Sequence, residues 1–488
     1  MSEHPLDAIF HPRSVAIVGL SSSPTARPTG FLAGLLDQGF PRDHIYPVNP
    51  RATEVAGLPC YPTVLDCPDP VDHVISIIPR TGAADLLAQC IQKRVRSVHF
   101  FTAGFSEVGD PALAAAERTM VKAARAAGVR LIGPNCMGLY VPSAHLAFSA
   151  GFPKEPGHVF ALSQSGVNAS AIIDGLSARG VRLSKCVSFG NAADLAAPEL
   201  IGYAAADPES QVVVAYLESV RDGRALFEAI RRCARVKPVV LLKGGITEAG
   251  ARAARSHTGS LAGSAAVFEA LCRQTGALHA ETMEELHDLT VALTTQLRTV
   301  AGPRTVLMGN GGGFSVLSAD ALAREGLDLP ELNEATQAVL REHVPEAGNS
   351  IRNPIDAAFV DGPRQRVAEI VLATVAEAPG FDLVVTTADG PDVLPPPRAP
   401  GDAPPPPSTL PVQPPQLVVA ATFADVQDRT GRPLALVRRT RDHNPADGFT
   451  VQTYRRGVAV FPSVARAART VALILRWRCQ HEGLPPLV

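Results

Sequence analysis

The chain has 488 residues, which at roughly 150 residues per domain predicts about three domains. Hydrophobic residues make up 46 % of it and charged residues 19 %, so most of the chain can bury a core. The net charge of -2 argues against a protein that coats nucleic acid and against a polybasic membrane binder. Apolar runs stay short of the roughly 18 residues that span a bilayer, and the first residues lack a signal-peptide pattern. We therefore expect a cytoplasmic protein that binds neither nucleic acid nor membrane.

The cysteines and histidines show no metal-binding spacing. The 8 cysteines are scattered without a CxxC pair, and HExxH is absent. In a long chain without an export signal, such cysteines are expected to be reduced thiols. We expect no metal site made by this chain alone.

Residues 1–150 alternate short apolar runs with helix-favouring stretches. Near-continuous apolar runs are typical of strands buried on both faces of a parallel sheet. The expected strands are 14–19, 44–49, 71–78, 97–102 and 129–133, with helices at 83–93 and 111–127. This alternation predicts a doubly wound, Rossmann-like α/β domain.

Residues 151–297 repeat the same alternation. The expected strands are 158–163, 183–188, 212–217 and 238–243, and a helix is expected at 264–274. This block is predicted to be a second α/β domain.

A third α/β domain is expected over 298–488, from a strand at 304–309 to a helix at 464–476. Inside it, residues 391–416 contain 12 prolines in 26 positions, which excludes a helix or a central strand there. We interpret this stretch as a surface loop, either a tolerated insertion or a proline-rich docking motif. The flanking segments 381–386 and 417–421 are expected to form neighbouring strands.

The turn after the first strand, with Gly19, Ser21, Ser22 and Ser23, lies where a doubly wound sheet binds a ligand. Small residues there let the backbone approach a phosphate, but the GxGxxG pattern of NAD sites is absent. The second strand ends in Asn49-Pro50-Arg51 rather than in an acid. A basic residue suits a ligand with a phosphate on its ribose, such as CoA or NADP; an exposed surface charge is the alternative.

Two further small-residue loops follow strands of this block, at 102–107 and 133–138. Cys136 in the second loop suggests thiol catalysis. A buried structural cysteine is the more common case, and the loop has no basic residue to lower the thiol pKa.

One histidine of the second block, His257, lies among small residues just before the helix expected at 264–274. A helix N-terminus stabilises an anion, and the turn at Ser163, Ser165 and Gly166 is a second such helix start. Two helix starts facing one imidazole would hold a phosphoryl group on nitrogen, and Glu218 would orient the other ring nitrogen. The alternative is an ordinary loop histidine.

The third block contains a glycine-rich turn with Gly311, Gly312 and Gly313 between a strand and a helix. Its backbone could also meet phosphate, although a tight turn chosen for backbone reasons is equally compatible. Asp320 and Asp356 are expected to be caps or hydrogen-bond anchors.

Several segments resemble a known family. The stretch 256–263, SHTGSLAG, is similar to the phosphohistidine loop of NDP-forming acyl-CoA synthetases, the succinyl-CoA synthetase superfamily. In the same order, four more segments resemble that family: Ile132–Gly138, Ser188–Asp194, Asn310–Val316 with Asp320, and Asn353–Asp356. The resemblance covers nearly the whole chain outside the proline-rich loop.

The resemblance implies a Rossmann-like CoA-binding domain followed by two flavodoxin-like domains. It implies phosphorylation of His257 with Glu218 as its support, and an acyl phosphate near Asn135 and Asn191. Gly311–Gly313 would be a second phosphate-binding helix start. The CoA-binding residues would be Gly19, Ser21, Ser22, Ser23, Asn49, Pro50, Arg51, Ile78, Pro79, Ser106 and Glu107.

The family's synthetases also need an ATP-grasp module, for which the three blocks leave no room. The resemblance therefore implies an α-type subunit that works with a separate ATP-grasp β-type chain, which would hold ATP or ADP and Mg²⁺. The substrates would be a small carboxylic acid, CoA and phosphate, and the assembly a hetero-oligomer, implied to be a heterotetramer of two such chains and two partners. The sequence departs from the family at 434–441, where a basic stretch is expected to replace the usual final strand.

Two other functions stay open at this point. One is a non-catalytic regulatory subunit that binds CoA or acyl-CoA, although a pure binder has no need for both His257 and Glu218. The other is an NADP-dependent oxidoreductase, which the missing glycine pattern disfavours.

Overall fold

A computed structural model describes residues 4–21, 30–250, 252, 264–309, 311–345, 347–356, 364–387, 415–438 and 448–482. The chain divides into two compact units. The first unit comprises Met1–Ser177 with Arg182–Leu286, and the second comprises Ala178–Val181 with His287–Val488. Among the described residues, no helix combines the length and the apolar character needed to cross a membrane.

The first sheet of unit one consists of five parallel strands. In chain order, the elements are α1 (Asp7–Phe10), β1 (Val15–Val18), α2 (Gly30–Gln38), β2 (Ile45–Val48), the hairpin strands β3 (Glu54–Val55) and β4 (Leu58–Pro59), β5 (His73–Ser76), α3 (Ala83–Lys93), β6 (Ser97–Phe100), α4 (Pro111–Ala126) and β7 (Arg130–Ile132). The strand order is β2-β1-β5-β6-β7. Nearly all strand residues are buried because helices cover both faces, and burial lowers the pKa of His73 to about 3.

The second sheet of unit one has six strands. The elements are β8 (Gly138–Tyr140), β9 (Val159–Ser163), α5 (Gly166–Ala178), β10 (Leu183–Ser188), α6 (Ala197–Ala206), β11 (Val212–Leu217), α7 (Gly223–Ala234), β12 (Val239–Lys243), α8 (Ala265–Thr275), β13 (Leu278–Ala280) and α9 (Met283–Leu293). The order is β13-β12-β11-β9-β10-β8, with only β8 antiparallel to its neighbour. The carboxyl ends of β9, β11 and β12 therefore lie side by side at one edge.

The sheet of unit two has five parallel strands. The elements are β14 (Thr305–Gly309), α10 (Gly312–Arg324), α11 (Glu334–Arg341), β15 (Ile355–Asp356), α12 (Arg364–Glu377), β16 (Leu383–Thr387), α13 (Pro415–Thr430), β17 (Leu434–Val437), α14 (Phe449–Arg455), β18 (Ala459–Phe461) and α15 (Val464–Glu482). The strand order is β15-β14-β16-β17-β18. Val371, Val375, Val384 and Leu436 are fully buried in the core of this unit.

The α/β class and the strands expected in the first two blocks are confirmed. Each of those apolar runs contains an observed strand, because both faces of the sheets are buried and the sequence needs no alternation. The helix expected at 264–274 is α8, Ala265–Thr275. The domain boundaries near 150 and 297 stay predictions.

The strand expected at 417–421 is wrong, because these residues belong to helix α13. The β-branched residues of this segment favour a strand locally, but the segment is part of a longer helix, and that helix decides its conformation. Phe423, Ala424 and Val426 pack in the core of unit two, and the buried Gln427 donates from Nε2 to the Gly457 carbonyl oxygen at 3.1 Å. Tertiary packing of this helical face outweighs the strand preference of a short segment.

The expectation that a basic stretch replaces the final strand at 434–441 is also wrong. Leu434–Val437 is strand β17, fully buried and hydrogen-bonded between β16 and β18. The charge begins only after the strand, at Arg438, whose guanidinium carbon lies 4.5 Å from the centre of the Phe449 ring. Four apolar residues are enough for a central strand once both neighbours are present.

The proline-rich segment lies mostly outside the described residues. Of 391–416, only the last two residues are described, and they begin α13. The interpretation of the rest as a surface loop stays a prediction.

Candidate active site

The turn after β1 lies against the end of β5. The Gly19 amide donates to the Val48 carbonyl oxygen at 3.0 Å, and its φ of +103° lies in the region that favours glycine. A Cβ atom at Gly19 would lie 2.8 Å from Cγ2 of Ile78, so a larger residue would clash. Ser21 is exposed beside this turn, whereas Ser22 and Ser23 lie outside the described residues.

The end of β2 is tied to the same turn. The Asn49 side chain donates from Nδ2 to the Leu20 carbonyl oxygen at 2.7 Å and accepts from the Arg51 amide at 2.8 Å. Pro50 and Arg51 are exposed. Asn49 thus orders the backbone and places a cation at the ligand edge of the first sheet.

The loops after β5 and β6 are also joined. Thr102 donates from Oγ1 to the Ile78 carbonyl oxygen at 2.5 Å, and Arg80 donates from Nη1 to the Gly104 carbonyl oxygen at 3.0 Å. Pro79 is exposed and precedes a short 3₁₀ turn. Gly19, Asn49 and Ile78 therefore belong to one continuous edge.

Ser106 and Glu107 are engaged with protein groups. The Glu107 carboxylate accepts from the Gly104 amide, from the Phe105 amide at 3.0 Å and from Nδ2 of Asn191 at 2.6 Å. These bonds join the loop after β6 to the second sheet of the same unit. The contacts of Glu107 are those of an anchor, and a CoA contact of either residue stays a prediction.

Glu117 is a site residue that sequence reasoning missed. It is 4 % exposed on α4, and its carboxylate accepts from Ser106 Oγ at 2.8 and 2.9 Å, from Asn191 Nδ2 at 3.2 Å and from Arg221 Nη2 at 3.3 Å. The only signal was its position seven residues before the buried Ala124 on the same helix. An acid on the buried face of a helix is unusual unless it has such partners.

The two asparagines expected near the acyl phosphate lie together. Asn135 Nδ2 and Asn191 Oδ1 are 3.4 Å apart, and the Asn191 amide donates to the Pro134 carbonyl oxygen at 3.0 Å. Asp194 anchors the segment, since its buried carboxylate accepts from the Leu131 amide at 2.8 Å and pairs with Arg130 Nε at 3.0 Å. Two segments far apart in sequence thus meet at one point.

Cys136, in the same loop, has the surroundings of a structural residue. It is 4 % exposed, and burial raises the pKa of its thiol above the ordinary range. A buried neutral thiol is a poor nucleophile, so the structural interpretation is the better one.

The turn after β9 begins helix α5 next to that loop. Ser163 donates from Oγ to the Ser165 carbonyl oxygen at 2.7 Å, and Ser165 Oγ accepts from the Asn168 amide at 3.3 Å. A Cβ atom at Gly166 would lie 2.5 Å from Cγ of Met137, so glycine is needed for the close approach of the two loops. The predicted anion cradle is therefore continuous with the Asn135 loop.

Glu218 follows β11 and is held by its neighbours. Gln164 Oε1 accepts from the Glu218 amide at 2.5 Å and from the Ser219 amide at 2.8 Å, and Lys243 donates from Nζ to the Glu218 carbonyl oxygen at 2.7 Å. Burial, followed by the charge and hydrogen bond of Glu218, raises the pKa of the Tyr216 phenol. Sequence reasoning missed Gln164 and Lys243, although a charge ending an apolar strand at the ligand edge was a usable signal.

The central prediction, His257, lies outside the described residues together with the rest of 253–263. The described part resumes at Ser264, the residue before α8. The phosphohistidine assignment stays a prediction.

In unit two, the glycine-rich turn is fixed by Asp356. The Gly311 amide donates to Asp356 Oδ1 at 2.8 Å, and α10 begins at Gly312. Asp356 is thus the hydrogen-bond anchor that was expected, whereas the carboxylate of Asp320 is largely exposed, 3.9 Å from Arg324 on the same helix. Phosphate binding by Gly311, Gly312 and Gly313 stays a prediction.

Comparison with known protein families agrees with this geometry. A CoA binding domain matches residues 13–142, and a succinyl-CoA ligase like flavodoxin domain matches residues 156–293. The fold and the site thus define a CoA-binding α/β protein of the succinyl-CoA ligase type.

Individual relatives narrow this class. The α subunit of acetate–CoA ligase (ADP-forming) II of Pyrococcus furiosus is 36 % identical over 351 residues, which cover 72 % of this chain and 76 % of the relative. The ADP-forming acetate–CoA ligase of Methanocaldococcus jannaschii is 36 % identical over 72 % of this chain, which spans 49 % of that longer protein. The acetyl-coenzyme A synthetase 1 of Ca. Korarchaeum cryptofilum, solved with phosphate and ADP, superimposes with a TM-score of 0.79 at 29 % identity, covering 98 % of both chains.

The chain therefore belongs to the family of ADP-forming acid–CoA ligases. The family resemblance inferred from the sequence motifs is confirmed, and so is the CoA-binding domain followed by a flavodoxin-like domain. The alternatives of a non-catalytic regulatory subunit and of an NADP-dependent oxidoreductase are not favoured by these relatives.

Proposed function

We propose that the chain is the α-type subunit of an ADP-forming acid–CoA ligase. It converts a small carboxylic acid, CoA and ATP to acyl-CoA, ADP and phosphate. The observation that carries the proposal is the contiguity of its loops in unit one. The Asn135 loop contacts Asn191 and Gly166, and Gln164 of the same turn holds Glu218.

In the proposed reaction, one phosphoryl group passes from ATP to His257 and from His257 to the carboxylic acid. Phosphohistidine at His257 gives its phosphoryl group to the carboxylate of the acid, which forms the acyl phosphate and frees the imidazole. The CoA sulfur then attacks the acyl carbon, and phosphate leaves. ATP restores the phosphohistidine and leaves as ADP.

The proposed function assigns the following roles to the chain's own groups. Backbone amides at the start of α5 would stabilise an anion, and the Glu218 carboxylate accepts a hydrogen bond from the imidazole nitrogen that is not phosphorylated, which orients the ring. Asn135 and Asn191 lie near the acyl phosphate. Arg51 offers a cation to the ribose phosphate of CoA.

The nucleotide belongs to a second chain in this proposal. The Pyrococcus relative is named as an α subunit, which supports a partner. Among the described residues, no group of three or more His, Cys, Asp or Glu side chains is arranged to hold a metal ion. We assign Mg²⁺ and ATP to a separate ATP-grasp β-type chain in a hetero-oligomer.

Mass spectrometry of the purified full-length chain tests the proposal. After incubation with phosphate and a panel of acyl-CoAs, we expect an acid-labile, base-stable phosphoryl group that maps to His257 and is absent in His257→Asn. The acyl-CoA that supports labelling identifies the acid. CoA binding without phosphorylation, both alone and with a candidate ATP-grasp chain and ATP, would instead support a regulatory subunit.

A further inference from the structure

Side chains at the ends of two neighbouring strands form hydrogen bonds with the backbone amide and carbonyl groups of Glu218. From the end of β9, Gln164 Oε1 accepts from the Glu218 amide at 2.5 Å. From the end of β12, Lys243 Nζ donates to the Glu218 carbonyl oxygen at 2.7 Å. Both polar groups of this backbone residue are thus fixed by side chains, although β11 has ended at Leu217.

Using the ammonium group of Lys243 to bind peptide carbonyl oxygens costs desolvation free energy. Its side chain is buried, with the whole residue 5 % exposed, and its second acceptor is the carbonyl oxygen of Gly244. Burying an ammonium group costs several kcal/mol, and a neutral donor would satisfy two carbonyls at lower cost. Burial lowers the pKa of Lys243, and the nearby Glu218 charge offsets part of that lowering.

We propose that Lys243 is a positioning residue for Glu218, and through it for the phosphohistidine. This rests on the proposed function, in which Glu218 orients the imidazole. The Lys243 bond fixes the peptide from which the Glu218 side chain extends. With Gln164 holding the preceding peptide, the Cα atom of Glu218 is fixed on both sides by side chains at the ends of β9 and β12.

A matched control lies at the opposite end of the same strand. Just before β12, Lys237 donates from Nζ to the carbonyl oxygens of Ala204 at 2.7 Å and Asp207 at 2.5 Å. Burial lowers the pKa of Lys237 as it does that of Lys243. Both lysines donate to two peptide carbonyl oxygens, but Lys237 lies just before the start of β12 and Lys243 at its end, and therefore at opposite edges of the sheet. A purely structural role for Lys243 would make their substitutions equivalent.

The test measures phosphoryl incorporation by rapid quench. The full chain, with a candidate ATP-grasp partner present, is mixed with radiolabelled phosphate and acetyl-CoA, and the single-turnover rate constant and the KM for phosphate are determined. We expect Lys243→Met to lower the rate constant about 10- to 100-fold with little change in KM. Lys243→Arg recovers part of the loss, and Lys237→Met keeps the wild-type rate constant.

A double-mutant cycle with Glu218→Gln separates positioning from general destabilisation. If Lys243 acts through Glu218, the double variant is no slower than Glu218→Gln alone. The proposal would be overturned if the double variant lost the product of the two single-variant factors, or if Lys243→Met kept the wild-type rate constant. Thermal unfolding accompanies each variant, and Lys243→Gln and Lys243→Arg replace Lys243→Met if it fails to fold. Wild-type chain that takes up no label with any acyl-CoA overturns the proposed function itself, and this inference with it.

Discussion

The two edges of the second sheet hold buried lysines in different ways. Near the amino-terminal edge, Lys185 is fully buried and pairs with Asp207 at 2.9 Å and Glu209 at 2.5 Å. At the carboxyl-terminal edge, Lys243 donates to two peptide carbonyl oxygens beside Glu218. Carboxylates that neutralise a lysine directly serve the stability of the fold. A lysine that donates to peptide carbonyl oxygens instead orders the backbone. Lys237 does this at the amino-terminal edge, so we expect an effect on chemistry only at Lys243, beside Glu218.

This contrast fits the general behaviour of parallel α/β sheets. Ligands bind outside the carboxyl ends of the strands, where loops are free to vary, whereas the opposite edge is closed by packing and ion pairs. Substitutions at the two edges should therefore separate stability from activity.

The largest effect is expected at the amino-terminal edge. Lys185→Met leaves the carboxylate of Asp207 buried without its ammonium partner, which should lower the free energy of unfolding by about 3–5 kcal/mol. Urea unfolding measures it. Adding Asp207→Asn should recover part of the loss, and the rate of phosphoryl transfer by folded protein should stay unchanged. A slower rate at full stability would contradict the contrast between the edges.

The next effect is expected at the carboxyl-terminal edge. Glu218→Gln keeps the size of the side chain but removes the charge that would support the imidazole, so phosphoryl transfer should slow about 100-fold. The free energy of unfolding should change by less than about 1 kcal/mol. Glu228→Gln, a change in an acid on α7 that pairs with Arg231 at 2.7 Å, is the matched control and should leave the rate unaltered.

A smaller effect is expected where the two sheets of unit one meet. Glu117→Gln weakens the bonds to Ser106 and Asn191, which should shift the amide of Asn191 and lower kcat about 10-fold. Steady-state kinetics measure it, with Glu199→Gln as a control at another arginine-paired carboxylate. Equal kcat values in the two variants would make Glu117 a purely structural residue.

The smallest effect is a dependence of stability on pH. Burial alone would raise the pKa of Asp207, but hydrogen bonds from Ser210 and Lys185 and the Lys185 charge together hold it below its ordinary value. The unfolded chain then binds a proton first as the pH falls, so this stabilisation is complete above about pH 4 and is lost below it. Unfolding followed across acidic pH should show a weaker dependence in Lys185→Met than in wild type. An unchanged slope would show that the pair does not set the acid response.

Much of the site could be predicted from the sequence because its motifs lie in turns after strands. In a parallel sheet such turns meet at one edge, so Gly19, Asn49 and Ile78 were expected together. Asn135 and Asn191 follow strands of different sheets, and only the family resemblance indicated that they lie near one acyl phosphate. Glu117 and Lys243 were missed because each lies in an ordinary helix or strand pattern. Their hydrogen-bond partners lie on other parts of the fold, which the local sequence pattern does not reveal.

The errors in unit two have the same origin. The segment 417–421 has the composition of a strand, and its helical state depends on Phe423, Ala424 and Val426 packing further along the chain. Leu434–Val437 was discounted because of the charges after it, although the two flanking strands bury all four residues.

The sequence by itself determined the α/β alternation, the order of the small-residue turns and the family, because these are encoded by local periodicity and short motifs. The tertiary structure decided which charged groups meet, since contacts between residues 25 to 74 positions apart depend on sheet order and register. The tertiary structure therefore supplied the hydrogen bonds of Glu117 and those that join Glu218 to Gln164 and Lys243. Non-local contacts leave no periodic trace in a single sequence, which is the physical reason for the division.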